Sequence, residues 1–297
     1  MQPHFKIAIG IATAGRREIL AGTLHELSGQ TRLPECVFVC QAAEKDCDAE
    51  QAAELLFPLL TVWSRPGLAA QRNAILDAAR DFEILVFFDD DFFAAPSYLA
   101  ELEYCFAAQP TIVAMSGQVI ADGVTGPGID AAGARAVLAS FDGALGDQTL
   151  TDLYNAYGCN MAMRLAPVYV HGLRFDEKLP LYGWLEDVDF SRQLAPYGRI
   201  VKNWRMIGVH LGIKGGRVSG IRFGYSQIAN PLYLWRKGTF RLDLALRQMS
   251  RNLLANFAKV IRPEPWADRR GRARGNVLGL LDLVRGRLDP TRILDFD

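Results

Sequence analysis

Short apolar runs alternate with helical patterns along the first two thirds of the chain. Five runs have the length and composition of strands that are buried on both faces: residues 5–12, 37–39, 59–63, 84–88 and 111–120. Three stretches with helical periodicity or a helix-start signal lie between them: residues 19–27, 68–80 and 96–109. This alternation predicts an α/β fold with a Rossmann-like, mainly parallel central sheet and helices on both faces.

The pattern becomes irregular after the last of these strands. Residues 121–150 are rich in glycine, alanine and aspartate and have weak periodicity, which predicts an irregular insertion over a functional site. Residues 208–220 predict a glycine-rich loop that carries His210, Lys214 and Arg217. Neither segment predicts a helix or strand of its own.

The C-terminal part differs in its charge and in its helical pattern. Residues 235–297 contain fourteen Lys or Arg and seven Asp or Glu, a net charge of +7 in a chain whose formal net charge is zero. One face of the first predicted helix is apolar: Leu242, Leu246, Met249, Leu253 and Phe257. We therefore predict one domain over residues 1–234 and a basic extension of amphipathic helices over residues 235–297.

Two interpretations of the basic extension stay open. An apolar stretch at residues 277–284 follows Arg269, Arg270, Arg272 and Arg274, a profile typical of a helix that lies on an anionic membrane. The alternative is a set of helices that pack on the domain with their charges in water, and this is favoured for residues 242–261. The arginine cluster is compatible with either interpretation.

Composition places the chain among globular proteins. Half of its 297 residues are hydrophobic and 22% are charged, so a sizeable core is available. The zero net charge argues against nucleic acid as a partner. Five cysteines, without the spacing of a zinc site, indicate reduced thiols and a cytoplasmic protein, either free or peripheral on the inner face of a membrane. We recognise no signal peptide and no run of about 20 apolar residues.

The apolar run at residues 84–88 continues directly into Asp89, Asp90 and Asp91. Open α/β sheets bind their ligands at the carboxyl ends of strands, so these aspartates are expected at a functional site. Adjacent carboxylates repel one another unless a cation or hydrogen-bond donors offset the repulsion. Because Mg²⁺ is often held by carboxylates together with substrate phosphates, the cluster predicts a metal and nucleotide site. The alternative is that Asp89 caps the next turn while the other two are solvated.

Three further motifs follow a consistent order along the chain. A glycine turn enters a helix that carries Arg72 (GLAAQRN), an acidic cluster after Trp184 opens another helix (WLEDVD), and VH at residues 209–210 precedes KGGR at residues 214–217. Together with FFDDD, they resemble glycosyltransferase family 2 over roughly residues 6–217. The resemblance implies a GT-A fold and an inverting, hexosyltransferase-type enzyme with a nucleotide-sugar donor.

The resemblance also implies roles for the matching residues. Asp91 would bind Mn²⁺ or Mg²⁺, Asp89 would contact the nucleotide ribose or the metal shell, and His210 would complete that shell. Asp187 would be the catalytic base, with Glu186 as its neighbour. The residues expected to bind the nucleotide-sugar, from the resemblance or from their charge, are Thr13, Arg72, Asp89, Asp90, Lys214 and Arg217.

Several of these residues also have a purely structural interpretation. Asp187 could be a charge favoured at a helix N-terminus, and Arg72 could be an exposed helix residue. His210 could be a buried histidine with satisfied hydrogen bonds. Trp184 is either an acceptor-binding platform or an aromatic residue of the core or rim.

The sequence departs from the family pattern after the second strand. Many members carry acidic residues directly there, whereas this strand ends at Gln41 and the nearest acids are Glu44, Asp46 and Asp48. The expected donor is a UDP-sugar, although this position gives uracil little support.

The predicted function is a metal-dependent, inverting glycosyltransferase that acts on a saccharide or lipid-linked acceptor. Such enzymes commonly extend bacterial surface polysaccharides, which would give the basic extension an anionic membrane surface as a partner. The first rival is a sugar nucleotidyltransferase, because AGRR at residues 14–17 partly matches a glycine-rich basic loop after the first strand. The second rival is a non-catalytic protein of the same fold that binds a nucleotide and docks on a membrane.

Overall fold

A nine-stranded mixed sheet forms the centre of the computed structural model, which describes residues 4–47, 54–141, 149–215 and 219–296. Its strands, in chain order, are β1 (Ile7–Thr13), β2 (Cys36–Gln41), β3 (Leu59–Trp63), β4 (Ile84–Asp89), β5 (Phe92–Ala94), β6 (Ile112–Asp122), β7 (Leu150–Asp152), β8 (Asn160–Arg164) and β9 (Arg199–His210). Their order across the sheet is β3-β2-β1-β4-β8-β6-β9-β5, and β7 pairs with β9.

Strands β1 to β4 are parallel to one another, so their carboxyl ends meet at one edge of the sheet. Ala12 of β1 pairs with Asp89 of β4, which places the loop after β1 beside the three aspartates. The short strand β5 runs antiparallel to β9 and pairs Phe92 with His210. The sheet register thus brings the loop after β1, the aspartates after β4 and the end of β9 to the same edge.

The described helices are α1 (Arg17–Leu27), α2 (Leu68–Ala78), α3 (Tyr98–Ala108), α4 (Ala131–Ser140), α5 (Leu165–Val170), α6 (Glu186–Leu194), α7 (Gly220–Lys237), α8 (Leu242–Ala258) and α9 (Arg269–Val284). Residues of β4 alternate between two apolar cores. Ile84, Val86 and Phe88 pack with α1 and α3, while Leu85 and Phe87 pack with α2 and α6. The prediction of a mainly parallel sheet covered on both faces is confirmed.

Two local predictions are wrong, and one helix was not predicted. The segment 121–150 is not wholly irregular, because it contains α4, whose N-cap Asp130 accepts a hydrogen bond from the Gly133 amide at 2.7 Å. This alanine-rich helix buries only Ala134, so it has almost no apolar stripe to reveal it. His210 is the last residue of β9 and does not lie on a loop. Helix α7 has no counterpart among the predicted elements.

Helices α7, α8 and α9 form a C-terminal group. The predicted domain boundary at residue 234 falls inside α7 (Gly220–Lys237), so the division into 1–234 and 235–297 stays a prediction. Helices α8 and α9 are present, as expected from the apolar patterns in the extension. Within the described ranges, every helix is too short or too polar to cross a bilayer.

Candidate active site

Asp89, Asp91 and His210 converge at the carboxyl edge of the sheet. One potential ligand atom from each residue lies within 4.8 Å of the others. His210 Nε2 is 3.3 Å from Asp91 Oδ1 and 3.7 Å from Asp89 Oδ2. Asp91 and His210 are buried, whereas the Asp89 side chain is about one third exposed. The pairing of β5 with β9 creates this cluster, because it carries His210 to the turn that contains Asp91.

The chemistry of the cluster fits a divalent cation. Two carboxylates and an imidazole supply oxygen and nitrogen ligands of the kind that Mn²⁺ accepts, and Mg²⁺ accepts the carboxylates. Asp91 Oδ1 is buried and, apart from His210 Nε2 at 3.3 Å, has no hydrogen-bond partner within the described residues, so it is available to a cation that binds both residues. His210 Nδ1 lies 3.2 Å from Asp122 Oδ1, and a carboxylate in this position orients a metal-binding histidine.

Charge interactions within this cluster set the protonation of its members. Burial raises the pKa of Asp91, but His210, Arg16 and the Ile213 amide outweigh it and hold that pKa well below the usual aspartate range. Burial lowers the pKa of His210, but Asp122 and Asp91 outweigh burial and raise it far above the usual histidine value. His210 is therefore protonated without a cation and would bind one by releasing its Nε2 proton. Asp91 is therefore ionised at neutral pH and able to attract a cation.

Asp90 points away from this cluster into the protein. Its carboxylate accepts a hydrogen bond from Thr13 Oγ1 at 2.8 Å and pairs with Arg16 Nη1 at 2.7 Å. Burial raises the pKa of Asp90 to about 7, against the lowering effect of the Arg16 charge. Thr13 and Asp90 are both buried, and their predicted contact with a donor stays a prediction.

Arg16 is a site residue that the sequence analysis did not select. Its Nη1 binds Asp90, while its Nη2 lies 2.5 Å from Asp91 Oδ2 and so leaves Asp91 Oδ1 for another ligand. In the sequence, Arg16 is distinguished only as one of two arginines in the basic loop after β1. The signal that could have identified it is its position at the same sheet edge as three carboxylates that need a counter-charge.

A second acidic group lies at the start of α6. Arg72 of α2 joins it to the first group, since Nη1 is 2.5 Å from Glu186 Oε1 and Nη2 is 3.3 Å from Asp89 Oδ1. Arg72 is 1% exposed, and its guanidinium lies over the rings of Phe87 and Phe175 at 5.1 and 5.5 Å. The alternative of an exposed helix residue is therefore wrong. Burial raises the pKa of Glu186 to about 8, against the lowering effect of Arg72.

Asp187 is the acidic residue of α6 that remains partly exposed. Its Oδ2 accepts a hydrogen bond from the Gly158 amide at 3.0 Å, and its Oδ1 accepts one from the Val188 amide at 2.8 Å. Burial raises its pKa in spite of these two donors. The Gly158 carbonyl accepts a bond from Arg72 at 2.7 Å, and a Cβ at Gly158 would lie 3.3 Å from that of Asp187. A glycine thus lets β8 approach both acidic groups.

The other predicted site residues do not contact the two acidic groups in the described contacts. Lys214 Nζ donates hydrogen bonds to the carbonyls of Gly123 and Val124 at 2.8 and 2.9 Å, which fastens the segment after β9 to the turn after β6. Trp184 is half-buried, and its ring meets that of Phe223 edge to face at 5.8 Å. Arg217 lies outside the described residues.

Of the acids after β2, Glu44 is exposed and Asp46 is buried with its carboxylate already bonded. Asp46 accepts hydrogen bonds from the amides of Gly15, Ala42 and Ala43 at 2.8, 3.2 and 2.8 Å, so it holds the loops after β1 and β2 together. Asp48 lies outside the described residues. Gln41, at the end of β2, is buried, and its Oε1 has no hydrogen-bond partner within the described residues.

Comparisons with known proteins agree with this geometry. The sequence profile of the family described as Glycosyl transferase family 2 matches residues 8–169, more than half of the chain. The chain therefore belongs to glycosyltransferase family 2, and the predicted family is confirmed. No protein with a curated description matches it.

Solved structures confirm the GT-A fold. Residues 1–349 of S. aureus TarS, in complex with UDP-GlcNAc, match with a TM-score of 0.58 at 14% identity, over 97% of this chain and 82% of that one. A mannosyltransferase from Pyrobaculum calidifontis with GDP-Man and Mn²⁺ matches with a TM-score of 0.53 at 15% identity, over 99% and 86%. GalNAc-T7 with UDP, GalNAc and Mn²⁺ gives 0.55 at 12% identity, over 98% and 57%. This chain spans 46% of the longer S. aureus TarS structure.

Proposed function

We propose that the protein is a metal-dependent, inverting glycosyltransferase that moves a sugar from a nucleotide-sugar, with a UDP-sugar favoured, to a saccharide or lipid-linked acceptor. The observation that carries the proposal is the connection between the Asp89, Asp91 and His210 cluster and the partly exposed Asp187, made through Arg72 and Gly158. Family membership and the nucleotide-sugars bound to proteins of the same fold support it.

Asp89, Asp91 and His210 would hold Mn²⁺ or Mg²⁺. A cation bound there neutralises negative charge on the diphosphate of the donor. Arg16 and the Ile213 amide hold Asp91 Oδ2, at 2.5 and 2.9 Å, and so orient Oδ1 toward His210. Asp122 holds the imidazole from its other side. These contacts preorganise the ligands, so that little rearrangement accompanies donor binding.

Asp187 would act as the general base. It takes the proton of the acceptor hydroxyl while the hydroxyl oxygen bonds to the anomeric carbon, and the bond from that carbon to the diphosphate breaks with its electron pair on the leaving nucleoside diphosphate. Glu186 is paired with Arg72 and is poorly placed to serve as a nucleophile. A single displacement, which inverts the anomeric centre, follows from this division of roles.

The other predicted residues fit the proposal in two ways. Thr13 and Asp90 would stabilise the turn that carries the metal ligands, because both are buried and Thr13 donates a hydrogen bond to Asp90. Lys214 and Arg217 would add positive charge near the donor phosphates. Trp184, two residues before Glu186 in the chain, would line the part of the active site that binds the acceptor. A role in bacterial surface polysaccharide synthesis, at the cytoplasmic face of a membrane, completes the proposal and rests on the resemblance.

Hydrolysis of a panel of UDP-, GDP- and TDP-sugars, with Mn²⁺, with Mg²⁺ and with EDTA, tests the reaction class. We expect one nucleoside diphosphate to be released, slowly and only with metal, and Asp243→Asn, at an exposed position of α8, to behave as wild type. Pyrophosphate release from a nucleoside triphosphate and a sugar phosphate would instead establish the nucleotidyltransferase. Metal-dependent nucleotide binding without turnover, even with acceptor saccharides added, would establish a non-catalytic protein.

A further inference from the structure

Helix α9 packs Leu278, Leu280 and Leu283 against its neighbours but exposes its other large apolar side chains, and its fully buried positions are all small or polar. The buried positions are Gly271, Ala273, Gly275, Asn276, Gly279 and Asp282. A Cβ at Gly275 would lie 2.1 Å from the carbonyl oxygen of Ile221 in α7, so the two helices pack backbone to backbone. Val277, Leu281 and Val284 point outward and are 42, 43 and 88% exposed. An ordinary surface helix buries its apolar stripe, whereas α9 leaves these three apolar side chains in contact with solvent.

The exposed side of α9 continues into an apolar groove shared with the end of α8. The groove has a volume of about 830 Å³, and Phe257, Ile261 and Val277 contribute to its lining. Phe257 and Ile261 are 47 and 81% exposed. We call the surface formed by Phe257, Ile261, Val277, Leu281, Val284, Arg270 and Arg274 the α8–α9 face. A contiguous apolar surface of this kind, with a charged border, marks a place where another apolar phase is bound.

The positive charges on this face favour a partner that carries negative charge. Arg270 and Arg274 line the groove, and within the described part of the chain neither forms an ion pair. They precede Val277, Leu281 and Val284 at helical spacings of four, three, four and three residues, so all five side chains share one face of α9. The nearby acid Glu264 is already paired with Lys259 and Arg269. The face is therefore apolar in its centre, cationic at one end and free of a compensating anion.

A second copy of the chain fits this face poorly. A two-fold contact would place an arginine-bordered groove against another one, and like charges that are brought together oppose association. A bilayer with anionic headgroups offers both partners that the face lacks, an acyl region for the apolar side chains and phosphates for the guanidinium groups.

We infer that the α8–α9 face docks on an anionic phospholipid bilayer, with Val277, Leu281, Val284 and Phe257 at the acyl boundary and Arg270 and Arg274 among the headgroup phosphates. Arginine suits this position, because its aliphatic stem lies along the apolar surface while its charged end stays at the headgroups. This inference combines the two interpretations of the basic extension, since the helices pack on α7 and would also present a lipid-binding surface.

The docked face is linked by contacts to the proposed acceptor side of the active site. Phe223 of α7 meets the Trp184 ring at 5.8 Å, and the Arg272 guanidinium lies over the Phe223 ring at 4.7 Å. Trp184 lies two residues before Glu186. The proposed acceptor side thus lies two ring contacts from the helix that docks, which suits a lipid-linked acceptor, a step that rests on the proposed function.

Co-sedimentation of the full chain with vesicles tests the docking. We expect binding to phosphatidylcholine mixed with phosphatidylglycerol, weak binding to phosphatidylcholine alone, and release as salt rises. Arg270→Gln with Arg274→Gln should weaken binding to the mixed vesicles about fivefold for each arginine. The matched control, Arg80→Gln with Arg205→Gln, removes two exposed arginines from other parts of the protein and should bind as wild type.

A valine pair tests the apolar part of the face. Val284→Ser should weaken vesicle binding, whereas Val170→Ser, at a valine of α5 that is 75% exposed, should not. Both side chains are exposed, so neither change should unfold the protein. Equal binding of all variants, equal binding to both vesicle types, or self-association that Val284→Ser abolishes would overturn the inference. Hydrolysis of nucleotide-sugars without vesicles is measured on the same variants, so a failure of docking is distinguished from a failure of the transferase proposal.

Discussion

Arg72 and Glu186 form a buried ion pair, with Nη1 of the arginine 2.5 Å from Oε1 of the glutamate. The other terminal nitrogen of Arg72 lies 3.3 Å from Asp89 and 2.7 Å from the Gly158 carbonyl. One guanidinium therefore joins the carboxyl end of β4, the segment before β8 and the first turn of α6. The candidate metal ligands and the candidate base are held together by this single side chain.

Arg72→Met should destabilise the protein strongly. It leaves Glu186 buried without its cation, and breaking a buried pair in this way costs about 3–5 kcal/mol while the carboxylate is ionised. Because burial raises the pKa of Glu186 to about 8 even beside Arg72, the loss should be largest above pH 8 and smaller at neutral pH, where the glutamate can take up a proton. Arg72→Met combined with Glu186→Gln should recover part of the loss, because no uncompensated charge then remains. Urea unfolding of the two single variants and the double variant measures the coupling. If the two effects simply add, the pair does not hold the site together.

The main features of the sheet could be predicted because its strands carry strong signals. The run at residues 84–88 is apolar without interruption, and the structure explains why, since Val86 and Phe87 face different cores. The carboxyl end of a parallel strand is also a predictable place for a site, and Asp89 and Asp91 lie there as expected.

Other parts of the site depend on long-range pairing that no local pattern contains. His210 reaches Asp91 because β9 pairs with β5, a three-residue strand that directly follows the aspartates and was not predicted. Arg72 resembles any polar residue of an amphipathic helix, and only the position of α6 in space makes it a buried connector. The packed side of α9 was obscured for a related reason, because glycines such as Gly275 allow packing without an apolar stripe.

Asp187→Asn should abolish sugar transfer while leaving donor binding nearly unchanged. The amide keeps the size of the carboxylate but cannot accept the acceptor proton, and loss of a general base lowers rates by about 10²–10⁴. Turnover and UDP binding are measured on the same preparation, with Asp243→Asn as the exposed control. An Asp187→Asn enzyme with wild-type turnover would remove Asp187 from the role of base.

The transferase should lose activity as the pH falls. The loss should begin at a higher pH than for an enzyme whose catalytic base is an aspartate of ordinary pKa. Burial raises the pKa of Asp187, so its carboxylate becomes protonated above the usual value of about 4. A base acts only in its deprotonated form, and therefore kcat/KM should rise with pH through this raised pKa and then level off. A pH–rate profile locates the acid limb. A limb at or below pH 4 would show that a different group limits the rate.

Asp90 and Asp91 are adjacent and chemically identical, yet their replacement by asparagine should have different effects. Asp91 Oδ1 faces His210 and has no other hydrogen-bond partner within the described residues, so Asp91→Asn should weaken Mn²⁺ binding at least about tenfold. Asp90 bonds to Thr13 and Arg16 inside the protein, so Asp90→Asn should lower the free energy of unfolding and change Mn²⁺ affinity by less than about threefold.

Calorimetric titration with Mn²⁺, together with urea unfolding of both variants, separates the two effects. Because the variants differ by one position in the same turn, any general disturbance of the loop should affect them alike. Equal losses of Mn²⁺ affinity would therefore mean that the turn as a whole, rather than the Asp91 carboxylate, determines metal binding. A selective loss in Asp91→Asn would instead identify Asp91 as the ligand and Asp90 as the residue that holds Arg16 in place to orient it.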